Sequence, residues 1–316
     1  MKSKFLAVAT SLFIIAGIGG FAAADSQPAA PQGITVSPAF QTIAIPDGAQ
    51  QVPVNFTITN NKPVAQTLNL SVADFNALNE TGGLFFVGSN PTQLQQRYGL
   101  AKWITLPEAK LTLAPKQTTK IQAQILNQSD LQGGGHYGAL MIAVNTGQAS
   151  GKNYVGFHPI ASSLLFVTKS SGASYSLSLS QATYSHKFYN LPISVTLKFQ
   201  NLGNTHLVPR GYVSLLSPGG NLVSKGIVNE NSGLVLPGKS RDYKVLLNKS
   251  GSAYSPGTYT LSVDYRFDGY SGFRTYQASF VYVPLIIVFL ILVVLVLLAY
   301  VGLKASKKYR HKKKKK

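Results

Sequence analysis

The C-terminal stretch from Leu285 to Leu303 constrains this chain more than any other part of it. It contains no charged side chain, and a helix of this length covers roughly 28 Å at about 1.5 Å per residue, close to the hydrocarbon thickness of a bilayer. Pro284 stands where the first turn of a helix tolerates a missing N–H, and Tyr282 and Tyr300 flank the stretch as interfacial aromatic residues do. We therefore predict a transmembrane helix over 284–303.

The segments at the two termini predict the orientation of this helix. Residues 304–316 carry nine Lys or Arg and no acidic residue, and a basic segment beside a span marks the cytoplasmic side. The N-terminus has two lysines, an apolar run and an Ala-Ala-Ala cleavage site, which predict a signal peptide over 1–24 and a spacer over 25–33. An uncleaved N-terminal anchor is the alternative, and it gives the same result: a single-pass plasma-membrane protein with an extracellular ectodomain and a cytoplasmic tail.

Charge and cysteine content restrict the class of protein. Of the net charge of +19, the tail contributes nine charges and the signal segment two, which leaves +8 on the ectodomain. This charge favours anionic surfaces, and the tail favours anionic inner-leaflet lipids, so no nucleic-acid partner is predicted. The chain has no cysteine, whereas exported eukaryotic domains of this size usually carry disulfides, so the composition favours a bacterium with one membrane and a wall.

Most of the chain between the two termini predicts β-strands. Apolar and polar residues alternate with a period of two in many short segments, among them 52–58, 121–125, 193–199 and 259–265. A small polar segment, KSSGA, separates two blocks of such strands. The predicted fold is all-β, with two tandem immunoglobulin-like β-sandwiches over 34–169 and 174–282 and one C-terminal transmembrane α-helix.

The two predicted sandwiches repeat one another in outline. LTLAPKQTTKIQAQI in the first aligns with LVLPGKSRDYKVLL in the second, and a tyrosine follows the aligned proline after 22 residues in both, at Tyr137 and Tyr259. A tyrosine that enters a late strand from a Gly-containing turn predicts a tyrosine corner. Gene duplication and convergent turn chemistry both explain the similarity.

The first sandwich is longer because of an insertion at 76–102. Its sequence predicts a hairpin and then a short helix capped at Ser89-Asn90, with Pro91 in its first turn and Gly99 at its end. Exposed aromatic residues and Arg on a loop are typical of binding surfaces, so the candidate ligand-binding residues are Phe85, Phe86, Arg97, Tyr98 and Trp103. The first four also fit a small core of the insertion, and Trp103 fits core or inter-domain packing.

No catalytic or metal-binding pattern occurs in the sequence. It has no H-x-x-x-H pair among the ectodomain histidines, no G-x-S-x-G, no P-loop and only ten acidic residues. The run Gly133-Gly134-Gly135 lacks the lysine and the following helix of a phosphate loop, so a turn before a strand explains it better. We predict that the protein is not an enzyme and has no cofactor and no metal.

Several segments are similar to the WxL-interacting proteins of Gram-positive bacteria. They are GITVSPAFQTI, VNFTITNNKPVAQTLNLSV, YGLAKWITLPEAKLTLAPKQTTKIQAQI and GGGHYGALMIAV in the first block, and VTLKFQNLGNTHLVPRGYVSLL, VLPGKSRDYKV and SPGTYTLSV in the second. The resemblance implies a peptidoglycan-binding first domain and a membrane-proximal domain that binds host or partner proteins. No ligand residue is carried over from it, and no L-P-x-T-G sortase signal precedes the span.

The sequence thus predicts a non-catalytic cell-surface adhesion protein. It would tether peptidoglycan or another wall polymer, or a secreted surface-protein partner, to the membrane, with the insertion as the variable binding surface. The rival is an accessory or chaperone-like assembly subunit of an exported surface complex, which pairs strands with another exported protein.

Overall fold

The computed structural model of this chain describes residues 33–87, 97–145, 160–185, 187–251 and 255–313. The predicted signal peptide, most of the spacer and most of the short helix predicted after Ser89 lie outside the described residues, as do the last three lysines of the tail.

The described chain is mostly β-structure with one long C-terminal helix, as the alternation and the apolar stretch predict. One 3-10 turn, Ala101–Trp103, interrupts the strands. The elements are β1 Ile34–Ser37, β2 Phe40–Ile45, β3 Gln51–Asn60, β4 Gln66–Ala77, β5 Leu84–Val87, β6 Ile104–Thr105, β7 Lys110–Leu113, β8 Thr118–Leu126, β9 Gly134–Val144, β10 Ile160–Lys169, β11 Leu177–Tyr184, β12 Ser194–Asn201, β13 Arg210–Leu216, β14 Leu222–Val228, β15 Ser240–Leu246, β16 Asn248–Lys249, β17 Gly257–Arg266, β18 Arg274–Tyr282 and α1 Leu285–Lys313.

Strands β1 to β10, here called the first unit, form two sheets around one core. One sheet has the order β1-β3-β8-β6, and the other has the order β2-β10-β9-β4-β5, with β7 also paired to β4. The chain changes sheets at the cis bond before Pro38, so that β1 pairs antiparallel with β3 while β2 pairs parallel with β10. Alternate residues of facing strands fill the core, including Phe56 and Ile58 from β3, Ile125 from β8 and Leu165 from β10.

Strands β11 to β18, the second unit, form another pair of sheets around a separate core. Their orders are β11-β12-β15 and β16-β14-β13-β17-β18. The chain crosses between these sheets where β15 ends at Leu246 and β16 begins at Asn248. The first unit ends at Lys169 and β11 begins at Leu177.

A buried asparagine occupies the same place in both units. The side-chain amide of Asn60 donates to the carbonyl oxygens of Val64 and Ala114 at 2.8 and 2.9 Å. That of Asn201 donates to Thr205 and Val235 at 2.7 and 2.8 Å. Each side-chain oxygen accepts the N–H of the residue two positions on, at Lys62 and Gly203. In both units the Asn therefore closes the turn that follows it and joins this turn to the segment before the neighbouring strand of its sheet, β8 in the first unit and β15 in the second. This shared role is a structural reason for the similarity of the aligned segments.

The two aligned tyrosines differ from one another. Tyr259 donates from its hydroxyl to the carbonyl oxygen of Ser255 at 3.0 Å, the upstream bond of a tyrosine corner. The hydroxyl of Tyr137 instead lies 3.5 Å from Nδ1 of His206 in the second unit. Among the described residues, only Tyr259 therefore makes the upstream bond of a tyrosine corner, because Tyr137 reaches across to the neighbouring unit.

The C-terminal helix α1 leaves the second unit directly after β18. The most apolar 18 residues of the segment Leu285–Ser306 have a mean hydropathy of 3.3, and none of them is buried within the protein. This segment is long enough and apolar enough to cross a membrane.

Candidate functional site

The residues predicted to bind a ligand differ in their exposure to solvent. The ring of Phe86 is exposed and contacts Phe75 edge-on, with ring centroids 6.4 Å apart, whereas Phe85 is half-buried. Arg97 is exposed and places its guanidinium 5.3 Å from the ring centroid of Tyr98. Phe86 and Arg97 are thus the members of this set that solvent reaches most freely.

Trp103 lies in the core of the first unit. Its indole N–H donates to a carboxylate oxygen of Asp130 at 3.0 Å, and its ring meets His136 edge-on at 5.9 Å. Lys102 pairs with the other oxygen of Asp130 at 2.6 Å, and the bonds from Lys102 and Trp103 hold the pKa of that carboxyl below its ordinary value. The indole therefore packs inside the first unit, and core packing is one of the roles that the sequence left open for Trp103.

An apolar cluster joins the two units. Phe75, Tyr137 and Phe166 of the first unit pack with Leu236 of the second in one buried group. His206 of the second unit meets the ring of Phe166 edge-on at 5.6 Å. Aromatic contacts of this kind are favourable beyond the area they bury, so the units form a packed seam.

The predicted insertion acts as a brace across this seam. Between β4 and β5 its turn reaches the second unit, where the carbonyl oxygen of Glu80 accepts the N–H of Asp242 at 2.7 Å. The carboxylate of Glu80 forms an ion pair with Lys198, and the guanidinium of Arg241 packs directly over Gly82. Part of the segment that the sequence marked as a binding surface is therefore occupied by contacts within the chain.

The glycine run at the start of β9 also contributes to the contact between the units. The N–H of Gly135 donates to the carbonyl oxygen of Asn204 at 2.7 Å, and the side chain of Asn204 donates to the carbonyl oxygen of Gly172 at 2.8 Å. The backbone at Gly133 lies against Ser171 in the connection between the units. The sequence predicted a turn before a strand, whereas Gly134 and Gly135 already belong to β9, and the lack of side chains in the run lets backbone pack on backbone.

We expect acid to loosen the seam through His206. Burial lowers the pKa of His206 from 6.5 to about 4, although the charge of Asp268 partly opposes this. In the unfolded chain the ring takes a proton near its ordinary value of 6.5, so stability is complete above that pH and falls as the pH drops toward 4. The difference corresponds to roughly 3 kcal/mol at most. Burial also lowers the pKa of His136, which adds to the loss in the same direction.

Urea unfolding at pH 7 and at pH 4.5 measures this effect. His206→Phe keeps a ring against Phe166 but cannot titrate, so its free energy of unfolding should fall less between the two pH values than that of the parent. An equal fall in both proteins would rule out His206 as the group responsible.

A groove in the second unit is a candidate binding site. It has a volume of about 370 Å³ and lies between β15 and the segment that contains β14 and the turn after it. Its walls carry two highly exposed apolar side chains, Leu246 at 63% and Ile227 at 62%. Charged residues of both signs complete the lining: Glu230, Arg241, Asp242 and Lys244.

One wall of the groove is an open strand edge. β15 pairs with β12 on one side, and no described strand pairs with its other side. The N–H of Leu247 points inward to Ile193, whereas the N–H of Asp242 points outward to Glu80. Because peptide groups alternate along a strand, those of Lys244 face outward into the groove. Among the described residues, no donor reaches Oδ1 of Asp242, which is buried beside this edge.

The first unit closes the equivalent edge with its own chain. There β8 takes the place of β15, since Thr59 pairs with Thr118 as Gln200 pairs with Ser240. The outer edge of β8 is covered by β6, with Thr105 opposite Gln124. Counted along the strand, Gln124 corresponds to Leu246. The second unit thus leaves open, and lines with an apolar residue, an edge that the first unit fills with a short strand.

Sequence reasoning missed this site. The one available signal was Leu246, an apolar residue at an outward position between the inward Val245 and Leu247. Single exposed leucines are common on protein surfaces, so this signal alone does not mark a site. The groove becomes visible only when the strand on its other side is placed.

Comparison with known proteins found no matching family model and no matching curated protein. Among solved structures, the chain is similar to a chaperone–tip adhesin complex of CFA/I fimbriae biogenesis at 11% identity, with a TM-score of 0.42, over 80% of this chain and 99% of that chain. It is also similar to the class 5 fimbriae chaperone CfaA at 12% identity, with a TM-score of 0.41, over 80% and 100% of the two chains. A third is the CsuC–CsuE chaperone–tip adhesion subunit pre-assembly complex of Acinetobacter baumannii, at 11% identity and a TM-score of 0.36, over 78% and 97%. At these identities and TM-scores the likeness assigns no function to this chain.

Two predictions from the sequence are wrong. The chain is not identified as a WxL-interacting protein, since no family model matches it and the similar structures above are fimbrial chaperones. The prediction of peptidoglycan or another wall polymer as the main partner is wrong as well, because the resemblance to that family was what implied it. The resembling segments consist of alternating strands and of the turns that connect them, and the buried Asn60 and Asn201 show what stabilises two of these turns.

Proposed function

We propose that this protein is a non-catalytic, membrane-anchored accessory subunit of an exported surface complex. It would hold an extended segment of another exported protein, in the manner of a chaperone-like assembly subunit, by pairing that segment with β15. The observation that carries this proposal is the open outer edge of β15 beside a groove of about 370 Å³. β-Strand addition uses such an edge for affinity and neighbouring pockets for specificity.

The dimensions of the groove suit a short strand. The turn at Glu80 limits it at one end, and the close approach of Gly226 to the carbonyl oxygen of Leu246 limits it at the other. The four steps from Asp242 to Leu246 span about 13 Å in an extended strand, enough for a segment of about four residues. An apolar side chain of the partner would contact Leu246 and Ile227, and one of its N–H groups would satisfy Oδ1 of Asp242.

The proposed architecture places this groove outside the cell. We propose two tandem immunoglobulin-like domains, 34–169 and 174–282, held above the membrane by α1, with a signal peptide over 1–24 and the basic tail in the cytoplasm. Loss of this anchor would release the partner together with the ectodomain. The exposed Phe86 and Arg97 stay a second proposed contact point, on the first domain.

A proline at Lys244 tests the proposal. The N–H of Lys244 faces outward, so Lys244→Pro should spare the bonds between β15 and β12 while blocking strand addition. With a photocrosslinking residue at Ile227 and the full chain in its own host, we expect an adduct with one exported protein. Lys244→Pro should abolish this adduct, and Lys244→Ala should keep it because its N–H remains.

Two results would contradict the proposal. One is an adduct that persists in Lys244→Pro at the level seen in Lys244→Ala. The other is the same adduct from a crosslinker at Phe40, which is exposed on the first domain and far along the chain from the groove. The folded state of each variant is checked by its unfolding midpoint in urea.

A further inference from the structure

The loop between β11 and β12 lies at the base of the C-terminal helix. The N–H of Val283 donates to the carbonyl oxygen of Phe188 at 2.6 Å. Helix α1 begins two residues later, at Leu285. Two extended residues span at most about 7 Å, so a bilayer crossed by α1 would have its surface within a few ångströms of this loop.

The loop exposes apolar side chains at this point. Phe188 is 56% exposed and Ile193 is 81% exposed, and the latter is the highest value among the exposed large apolar side chains of the described residues. The ring of Phe188 meets that of Tyr189 edge-on at 5.1 Å, and the amine of Lys187 lies 5.7 Å from the centroid of the Tyr189 ring. In water this arrangement leaves two large apolar groups unburied.

The rest of the loop is held firmly by the second unit. Pro192 is buried, and Leu191 packs against the core of the unit. The carbonyl oxygen of Ile193 accepts the N–H of Leu247 at 2.9 Å, which fixes its backbone. The exposed side chains therefore project from an ordered support.

The composition of the loop suits a membrane interface. The transfer of apolar side chains from water into this region is favourable, while an aromatic ring with a polar tip and a lysine lie at the level of the lipid headgroups. The span itself offers a continuous apolar surface that starts beside the loop. A bilayer is thus the one apolar partner that the chain's own geometry brings to this place.

We propose that the loop 187–193 inserts Phe188 and Ile193 into the outer leaflet of the bilayer that α1 crosses. This second contact would hold the second unit against the membrane and stop the ectodomain from swinging about Val283 and Pro284. It would thereby fix the height and direction of the groove beside β15. The inference rests on the proposed membrane anchor but not on the proposed partner.

Single-cysteine variants test this contact in the full chain, because the natural sequence has no cysteine. Nitroxide labels at Phe188→Cys, Ile193→Cys, Leu292→Cys and Phe273→Cys are placed in vesicles of phosphatidylcholine and phosphatidylglycerol. Collision rates with oxygen, which is enriched in lipid, and with a water-soluble nickel chelate then report depth. Phe273 is exposed at the opposite end of β18 and serves as the solvent control, and Leu292 reports the span.

We expect a several-fold higher ratio of oxygen to nickel collisions at 188 and 193 than at 273, and the highest ratio at 292. A low ratio at 188 and 193 with a high ratio at 292 would overturn the loop contact and leave the anchor standing. A low ratio at 292 would overturn both. The proposed partner groove is not affected by either result, so the two proposals fail separately.

A second set of variants removes the influence of the label itself. Asn190→Cys places the label on an exposed residue between Phe188 and Ile193, with both of these apolar side chains intact. Its protection from the nickel chelate should be lost when Phe188→Ser and Ile193→Ser are added. Protection that persists with both serines present would show that Phe188 and Ile193 do not hold the loop in the bilayer, and would overturn the proposal.

Discussion

Replacing Gly133 by alanine is expected to separate the two units while both cores remain folded. An added Cβ at Gly133 would lie 1.9 Å from the carbonyl oxygen of Ser171 and 2.9 Å from Cα of Gly172. Both atoms belong to backbone, so no side chain can rotate away. The connection must move, and the bond from Gly135 to Asn204 two residues on must lengthen with it.

The expected loss is about 3 kcal/mol or more, because the change forces backbone apart at a packed contact. Trp103 is the only tryptophan and lies in the first core, so its fluorescence reports that unit alone, while circular dichroism reports both. In the parent we expect the two signals to change together in urea. In Gly133→Ala they should separate into two transitions.

Gly219→Ala is the matched control for this change. The nearest atom to an added Cβ there is the side-chain nitrogen of Asn221 at 3.5 Å, an ordinary contact. Its effect should be slight and of either sign. If Gly133→Ala unfolds at the same urea concentration as Gly219→Ala, with coincident signals, the seam does not depend on this glycine.

Asn201→Ala is expected to destabilise the second unit by roughly 3–5 kcal/mol, since it leaves several buried backbone groups without partners. The carbonyl oxygens of Thr205 and Val235 lose their donor, and the N–H of Gly203 loses its acceptor. Asn201 is fully buried, so water does not replace these bonds in the folded state. Urea unfolding followed by circular dichroism measures the loss.

The equivalent change in the first unit distinguishes the stability of one core from that of the other. Asn60→Ala should lower the midpoint reported by Trp103, whereas Asn201→Ala should affect that midpoint only through the seam. Asn61→Ala is the control, because its side chain makes a single bond of 3.3 Å to Thr35 at the edge of the same turn. A loss in Asn201→Ala no larger than that in Asn61→Ala would contradict the role assigned to the buried amide.

The β-strands and the helix could be predicted from the sequence because both depend on local patterns. A half-buried strand requires apolar residues at every second position, and these positions fill the two cores at Phe56, Ile58, Val195 and Leu197. An uninterrupted apolar stretch of membrane length is equally local, and it forms α1. The turns after Asn60 and Asn201 were also visible as Asn-rich segments, although the reason for them, a buried amide with several bonds, was not.

The family and the wall ligand were wrong for the same physical reason. The resembling segments consist of alternating strands and of turns that any sandwich with these connections requires, so they report architecture and carry no ligand chemistry. The insertion was interpreted as a binding surface because exposed aromatic residues and Arg on a loop are typical of such surfaces. The structure directs part of that contact inward, through Glu80 and Gly82 to Asp242 and Arg241.

The sequence by itself therefore determined which residues of this chain face a core and which stretch is apolar enough for a membrane. The tertiary structure alone decided how the units meet and which edge stays open. Gly133 matters because Ser171 lies against it, and the groove exists because a strand covers β8 but none of the described strands covers β15. Such features depend on the distance between residues that are far apart in the chain, and no local pattern encodes that distance.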